Sequence, residues 1–322
     1  MVSVIRPLLF ALVLLVAPAL ATAQAPPLPP AASLPDLPPA PPPESPEAAR
    51  KRLLALLDGL HPEKGTIRVA AAHAVLTLGD AYYFLPAEEA RRVLTEGWGN
   101  PADSVSDVLG MVFPAGKTFL DDTWGGVVTF EESGFVDDAD AKEIDYDELL
   151  ATMKKAGVER NNELLQRGLP TQTLVGWAQP PTYDAARKSL IWARDIRFGG
   201  ADADTLNYDV RLLGRHGVLS LNMVVGMKDL ATVRIAAASF GQAAAFETGE
   251  RYADYDSATD KKAEYGLAGL VAAGAGAAAA KKLGLLAILA GFGKKLFILI
   301  AIAFSVVVGF FRRMFGRKDE EA

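Results

Sequence analysis

A stretch that ends in Gly116-Lys117-Thr118 matches the end of the phosphate-binding loop of nucleotide-hydrolysing enzymes. In such a loop four residues separate the first glycine from the Gly-Lys pair, and the lysine opens a helix whose N–H groups bind the phosphates. Here five residues separate Gly110 from Gly116, and the stretch that follows is rich in Asp and Gly, which disfavour a helix. The sequence therefore predicts a short strand over 108–113 that ends in a turn, and we expect no nucleotide to bind.

Other residues that could carry catalysis or bind metals lack the spacing that those functions need. Histidines occur at three separate places, namely His61, His73 and His216. A calcium loop counted from Asp138 has Lys142 at its fifth position and Glu143 where glycine is required. Around Ser239 an alanine replaces the first glycine of a hydrolase nucleophile turn, and no acid–histidine pair follows. We therefore expect no catalytic residue, no metal site and no cofactor.

One aromatic stretch is the best candidate for binding. The candidate binding residues are Trp177, Tyr183, Asp184 and Trp192. Tryptophan and tyrosine beside a rigid turn at Pro180-Pro181 favour a stacking or partner-binding edge. The alternative, which we favour, is that both tryptophans pack in the core of a sheet.

Both ends of the chain predict a membrane protein. Residues 1–23 combine a basic residue, an apolar run and the cleavage site Ala21-Thr22-Ala23, which is typical of a secretory signal peptide; an uncleaved anchor is the alternative. Residues 294–313 hold an uncharged run between a lysine pair and an arginine pair, which predicts a transmembrane helix. The basic residues that follow predict a cytoplasmic tail. The expected location is a bacterial inner membrane, crossed once, with the main domain periplasmic and the lipid bilayer as a partner.

The distribution of charge follows the same boundary. Residues 64–260 contain 19 basic and 30 acidic side chains, whereas residues 261–322 contain 10 and 4. An acidic domain is unsuited to nucleic acid, because that binding depends on neutralising phosphates. Residues 261–293 are rich in Ala and Gly, and a second span, a re-entrant hairpin and a surface helix all remain open for them. The chain has no cysteine, which excludes disulfides and thiol chemistry.

The elements that must position these residues are predicted from periodicity and caps. Ser45-Pro46 and Asp145 each begin a helix, and a further short helix is predicted over 87–97. The acidic residues 137–143 are interpreted as solvated turns. Alternation and β-branched content predict two strands within 66–85, separated by a turn at Gly79-Asp80. Further strands are predicted over 108–113, 124–131, 171–178, 188–198, 205–213 and 218–225.

The predicted strands 205–213 and 218–225 alternate apolar and polar residues, which predicts one buried face for each. Residues 214–217 are predicted to be a hairpin loop with His216 at its tip. The fold class is therefore α+β, with helices packed on a mostly antiparallel sheet, plus a C-terminal transmembrane helix.

These patterns divide the chain into segments. They are a signal peptide (1–23), a proline-rich linker (24–46), an amphipathic helix (47–63), an extracytoplasmic α+β domain (64–260), an Ala/Gly-rich membrane-associated segment (261–293), a transmembrane helix (294–313) and a cytoplasmic tail (314–322). The linker holds eleven prolines among residues 26–46, which favour an extended spacer.

Several strings resemble a bacterial family of predicted membrane-anchored proteins, the domain of unknown function 2167. They are LVGWAQPPTYD, SLIWARDIRFGG, TLNYDVRLLGRHGVLSLN and YADYD, and the resemblance covers most of residues 65–312. It implies a membrane anchor and brings no established activity. We expect a non-enzymatic envelope interaction or structural module with a possible envelope protein partner; the alternative is an envelope glycan or peptide hydrolase that uses carboxylates.

Overall fold

The computed structural model describes residues 45–166, 168 and 170–273. These residues form two compact units. Of the described residues, unit 1 contains those up to Glu131 together with Thr205–Leu212 and Leu219–Thr248. Unit 2 contains Glu132–Asp204, Leu213–Val218 and the described residues from Gly249 onward. Both combine helices with strands, and most strand pairings are antiparallel, which confirms an α+β class with a mostly antiparallel sheet.

Unit 1 is built on a sheet with the strand order β1-β2-β3-β4-β8-β7, to which β9 adds by pairing with β2. Its strands are β1 (Glu63–Val69), β2 (Ala74–Pro86), β3 (Val108–Pro114), β4 (Gly125–Glu131), β7 (Thr205–Leu213), β8 (Val218–Gly226) and β9 (Ala244–Phe246). Its helices are α1 (Pro46–Asp58), α2 (Ala87–Arg92) and α4 (Leu230–Ala243).

Helix α1 begins where the sequence predicts, because the Ser45 hydroxyl accepts the Ala48 N–H at 3.2 Å and Pro46 occupies the first turn. Leu56 of α1 is buried in a core that includes Met111 and Phe113 of β3. The α1 face that the sequence marks as apolar therefore packs on unit 1.

The turn between β1 and β2 differs from the prediction. It lies at Ala70–Ala72 and His73, which takes a left-handed conformation with φ 48° and donates its N–H to the Ala70 carbonyl. Gly79, at the predicted turn, lies inside β2 with φ 58°, opposite Gly65 at a register irregularity. The glycine therefore permits a bulge within the strand rather than its reversal.

Both faces of β7 are buried, although the sequence predicts one. Asp209 is buried and accepts the Arg211 Nη2 at 2.8 Å and the Asn222 Nδ2 at 3.0 Å. Asn207 and Asn222 exchange amide hydrogen bonds in the same row. The polar row is tolerated in the interior because its members bond to one another.

Unit 2 contains helix α3 (Tyr146–Gln166), the hairpin of β5 (Gln172–Asp184) and β6 (Ser189–Phe198), and helix α5 (Leu267–Ala273). Asp145 caps α3 by accepting the N–H groups of residues 147 and 148 at 3.0 Å each, as predicted. Leu149 and Met153 of α3, Trp192 of β6, and Leu267 and Val271 of α5 share one hydrophobic core.

Strand β5 continues through Pro180-Pro181, where the sequence predicts a turn. Register irregularities interrupt the pairing with β6 around both prolines, so the missing N–H groups fall where the ladder is already broken. The chain reverses after Asp184, whose carboxylate accepts the N–H groups of Ala186 and Arg187 at 2.9 and 3.1 Å.

The predictions for the two ends of the chain fall mostly outside the described residues. The predicted transmembrane helix 294–313, the signal peptide 1–23 and most of the linker lie there. The described part of the Ala/Gly-rich segment, residues 261–273, enters the core of unit 2 through α5. None of the helices that the structure describes combines the length and apolarity of a membrane span.

Candidate functional site

The residues that resembled catalytic motifs have local structural roles. Thr118 donates its N–H and its hydroxyl to one carboxylate oxygen of Asp121, at 2.7 and 2.9 Å, and no helix follows Lys117 in the stretch 117–124. Ser239 lies inside α4 and donates to the carbonyl of Ile235. Within the part of the chain that the structure describes, His, Asp and Glu form no group of three that could hold a metal.

The four predicted binding residues lie on the β5–β6 hairpin but face different surroundings. Trp192 is 0% exposed in the core, and the half-buried Trp177 donates its indole N–H to the Tyr146 carbonyl at 3.1 Å. Asp184 caps the hairpin turn and also pairs with Arg187 at 3.3 Å. Tyr183 alone reaches a polar cluster, and that cluster is the strongest site in unit 2.

Asp138 is the centre of this cluster. One carboxylate oxygen accepts the Tyr183 hydroxyl at 2.6 Å and the Lys188 ammonium at 2.7 Å, and the other accepts the Tyr252 hydroxyl at 3.0 Å. The Asp138 backbone N–H donates to the Tyr252 hydroxyl at 3.1 Å. The Lys188 ammonium also lies 4.6 Å from the centre of the Tyr252 ring. We call Asp138, Tyr183, Lys188 and Tyr252 the Asp138 cluster.

Protonation in the Asp138 cluster is set by these bonds. Burial acts to raise the pKa of Asp138, but the donors Lys188, Tyr183 and Tyr252 outweigh it and hold the pKa below its usual value. Burial, followed by the bond to Asp138, raises the pKa of Tyr183 and of Tyr252. The carboxylate is therefore ionised at neutral pH and both phenols are protonated, which is consistent with the ion pair between Asp138 and Lys188.

The two aspartates beside Asp138 fasten other parts of unit 2. Asp137 accepts the Lys262 ammonium at 2.6 Å. Asp140 accepts the Leu267 N–H at the start of α5 at 3.4 Å, and a Cβ at Gly266 would lie 2.7 Å from that carboxylate. Burial raises the pKa of Asp140, while the N–H donors act in the opposite direction. The acidic run does form turns with exposed residues such as Glu143, as interpreted, but Asp137, Asp138 and Asp140 also bind other parts of unit 2.

The segment 249–262, which contains the YADYD string, is held in place by the bonds to Asp137 and Asp138 and by further bonds from Arg215. Arg215, in the 214–217 loop, forks onto Asp260 at 2.7 and 3.0 Å and donates to the Gly249 carbonyl at 3.0 Å. The pKa of Asp260 is held well below its usual value, mainly by the hydrogen bond from Arg215. His216, expected at a loop tip, accepts the Gly134 N–H on its carbonyl at 3.0 Å. The loop tip is therefore attached to neighbouring segments of unit 2.

Sequence reasoning missed Asp138, Lys188 and Tyr252 as members of one site. Tyr252 lies 114 positions from Asp138, and no local pattern links residues so far apart. The backbone of Lys188 has φ 55°, a left-handed conformation that non-glycine residues rarely adopt, and this marks Lys188 as a candidate site residue in the structure.

A second pair of carboxylates lies on β6 and in the connection after it. Both oxygens of Asp204 accept from the Arg197 guanidinium, at 2.7 and 2.8 Å. Burial, and then the charge of Asp204, raises the pKa of Asp195. Hydrogen bonds from Arg197 lower the pKa of Asp204.

Comparisons with known proteins give a family match and a structural likeness. The family described as "Protein of unknown function (DUF2167)" matches residues 61–305. The search of curated proteins finds no match. The solution structure of cyanobacterial PsbP (CyanoP) from Synechocystis sp. PCC 6803 is similar over 58% of this chain and 92% of that chain, with 8% identity and a TM-score of 0.33. A TM-score at that level carries no argument about fold or function.

Proposed function

The chain belongs to the family described as "Protein of unknown function (DUF2167)", and on this premise we propose that it is a non-catalytic interaction module of the cell envelope. In this proposal unit 2 presents the segment 249–262 to a partner, and the Asp138 cluster holds that segment in one conformation. A preorganised segment binds without losing much conformational entropy at the moment of association.

The state of Asp138 is the observation that carries the proposal. Its two oxygens accept three side-chain donors from the same chain, and its pKa is lowered. A general acid needs a raised pKa, which Asp138 lacks. Three of the roughly four acceptor sites of its carboxylate are engaged by side chains of the same chain, which supports a role in holding a surface.

Photo-cross-linking in intact cells tests this proposal. A photoreactive residue replaces Asp256, which is exposed in the segment 249–262, and a control variant carries it at Asp103, an exposed position in unit 1. We expect a discrete adduct at 256 that disappears when Asp138→Ala is added, and none at 103. Equal labelling at both positions, or a 256 adduct that is unchanged by Asp138→Ala, would contradict the proposal.

We further propose that residues 294–313 anchor the protein in the inner membrane with units 1 and 2 on the periplasmic side. Charge supports this topology, because Arg312, Arg313, Arg317 and Lys318 follow the apolar run closely. A reporter that is active only in the cytoplasm, fused after Ala322, should be active, and protease should digest both units in spheroplasts. An inactive reporter, or units that stay intact while a periplasmic control is degraded, would contradict the topology.

A hydrolase is the second candidate function, and the Asp195–Asp204 pair favours it. Opposite pKa shifts on neighbouring carboxyls are typical of acid–base catalysis. The fork from Arg197 onto Asp204 argues against it, because both oxygens of the ionised partner are engaged. Purified cell-wall glycan and peptide incubated with the full-length protein should release no new ends; release that is abolished by Asp195→Asn would establish the hydrolase.

A further inference from the structure

Phe135 contacts two tyrosine rings, that of Tyr255 and that of Tyr252 in the Asp138 cluster. The Phe135 ring centroid lies 4.4 Å from Tyr252, tilted at 35°, and 3.8 Å from Tyr255, nearly parallel with an interplanar angle of 13°. Phe135 is buried, whereas Tyr255 is partly exposed. Phe135 therefore covers one face of a tyrosine ring that is still partly accessible to solvent.

Phe135 and Tyr252 are each held in place by hydrogen bonds. Phe135 donates its N–H to the Lys261 carbonyl at 2.9 Å and accepts the Ala263 N–H at 2.8 Å. Tyr252 is held by Asp138 through its hydroxyl. Tyr255 therefore rests on a rigid support, and a ligand that stacks on it would immobilise few additional rotamers.

The groups around Tyr255 indicate which ligand suits it. Lys262 and Asp137 form an ion pair at 2.6 Å with side chains 56% and 39% exposed. The backbone of Lys262 pairs with that of Phe135, whose ring stacks on Tyr255, so the ion pair belongs to the same local structure as the ring. A paired ammonium and carboxylate offer hydrogen-bond donors and acceptors without a net charge to attract an ion.

A neutral sugar ring suits both the tyrosine ring and the neighbouring ion pair. One face of a pyranose carries C–H groups that can cover an aromatic ring, while its hydroxyls both donate and accept at the rim. A protein partner suits this surface less well, because the centres of protein interfaces are depleted of Lys and Asp. A partly exposed Lys262–Asp137 ion pair on the segment that pairs with Phe135 therefore favours a sugar.

We propose that Tyr255 is the stacking platform of a glycan-binding subsite, with Lys262 and Asp137 contacting the hydroxyls of a neutral sugar ring. This inference rests on the proposed function and specifies its partner as envelope glycan.

Binding of the β-1,4-linked N-acetylglucosamine tetramer to the full-length protein in detergent, measured by titration calorimetry, tests the proposal. We expect Tyr255→Ala to weaken binding by about tenfold or more, as the loss of an aromatic anchor does. Tyr255→Phe should bind within about twofold of the wild type, because stacking does not need the hydroxyl. Tyr82→Ala is the matched control, since Tyr82 is a partly exposed tyrosine of unit 1 that packs against another aromatic ring, Trp124.

Each result separates the two levels of the proposal. Wild-type affinity in Tyr255→Ala, or an equal loss in Tyr255→Phe, overturns the platform. No binding of the tetramer or of purified cell-wall glycan, with a protein adduct at position 256 in cells, overturns the sugar and leaves the interaction module standing. If no glycan binds and no adduct forms at position 256, both the glycan-binding subsite and the interaction module are contradicted.

Discussion

Replacing Asp138 with alanine should open the segment 249–262 without unfolding the rest of the protein. The change removes one carboxylate that accepts Lys188, Tyr183 and Tyr252. The Asp138 side chain is 22% exposed, so the ion pair is partly desolvated and water can replace part of what is lost. Hydrogen bonds to charged groups contribute about 1.5–3 kcal/mol each, and breaking a fully buried ion pair costs about 3–5 kcal/mol. We therefore expect a loss of about 2–3 kcal/mol in local stability.

Asp137→Ala provides the matched control at the adjacent position. Asp137 makes one ion pair with Lys262 and is 39% exposed, so its removal should cost only about 0–1 kcal/mol. Hydrogen exchange followed by mass spectrometry reads both effects in peptides that cover 249–262. A local loss of 2–3 kcal/mol corresponds to exchange that is faster by about 30–150-fold.

Two results would refute this reasoning. Equal and small changes in Asp138→Ala and Asp137→Ala would show that the Asp138 cluster does not hold the segment. Faster exchange throughout unit 1 as well would show that Asp138 supports the whole chain rather than this segment.

Three further predictions concern pH, packing and the phosphate-loop resemblance. The pKa of Asp138 is lower in the folded than in the unfolded protein, so its contribution to stability is present above about pH 4 and is lost as pH falls through the folded pKa. The pKa of Tyr183 is raised in the folded protein, so its contribution to stability is lost as pH rises above about 10. The melting temperature, followed by circular dichroism, should therefore decline below about pH 4 and above about pH 10, and both declines should be smaller in Asp138→Asn. Gly110→Ala should destabilise unit 1 by more than about 3 kcal/mol in chemical denaturation, because the new Cβ would lie 2.0 Å from the Phe84 ring and 2.8 Å from the Leu85 carbonyl. Lys117→Ala should leave the melting temperature and the response to ATP unchanged, and a magnesium-dependent shift with ATP in the wild type alone would contradict this.

Local signals predicted the elements whose determinants lie within a few residues. The caps at Ser45 and Asp145 begin α1 and α3, because a side-chain oxygen satisfies N–H groups two or three positions ahead. The strand at 108–113 was predicted from a short apolar run that ends in a turn, and the hairpin loop at 214–217 from the strands on either side of it. The resemblance of 65–312 to the family agrees with the match over residues 61–305.

Errors arose where neighbours distant in the chain decide the conformation. Gly79 has the left-handed conformation expected of a turn, yet it faces Gly65 across a bulge, and the reversal occurs at His73. Pro180-Pro181 continues β5 because the pairing with β6 is irregular there. Asp209 is polar but buried, because Arg211 and Asn222 satisfy it. In each case the partner residue, rather than local propensity, sets the outcome.

The amino-acid sequence by itself determined where α1 and α3 begin and where most of the strands lie, because caps, alternation and glycine or proline positions act between residues close in the chain. It did not predict α4, α5 or β9. Tyr183 was also among the binding residues predicted from the sequence. Tertiary structure alone decided that Tyr183, Lys188 and Tyr252, at separations of 45, 50 and 114 positions, meet on the carboxylate of Asp138. The physical reason is that a carboxylate in a partly buried place requires donors, and only the folded arrangement of distant segments determines which donors reach it.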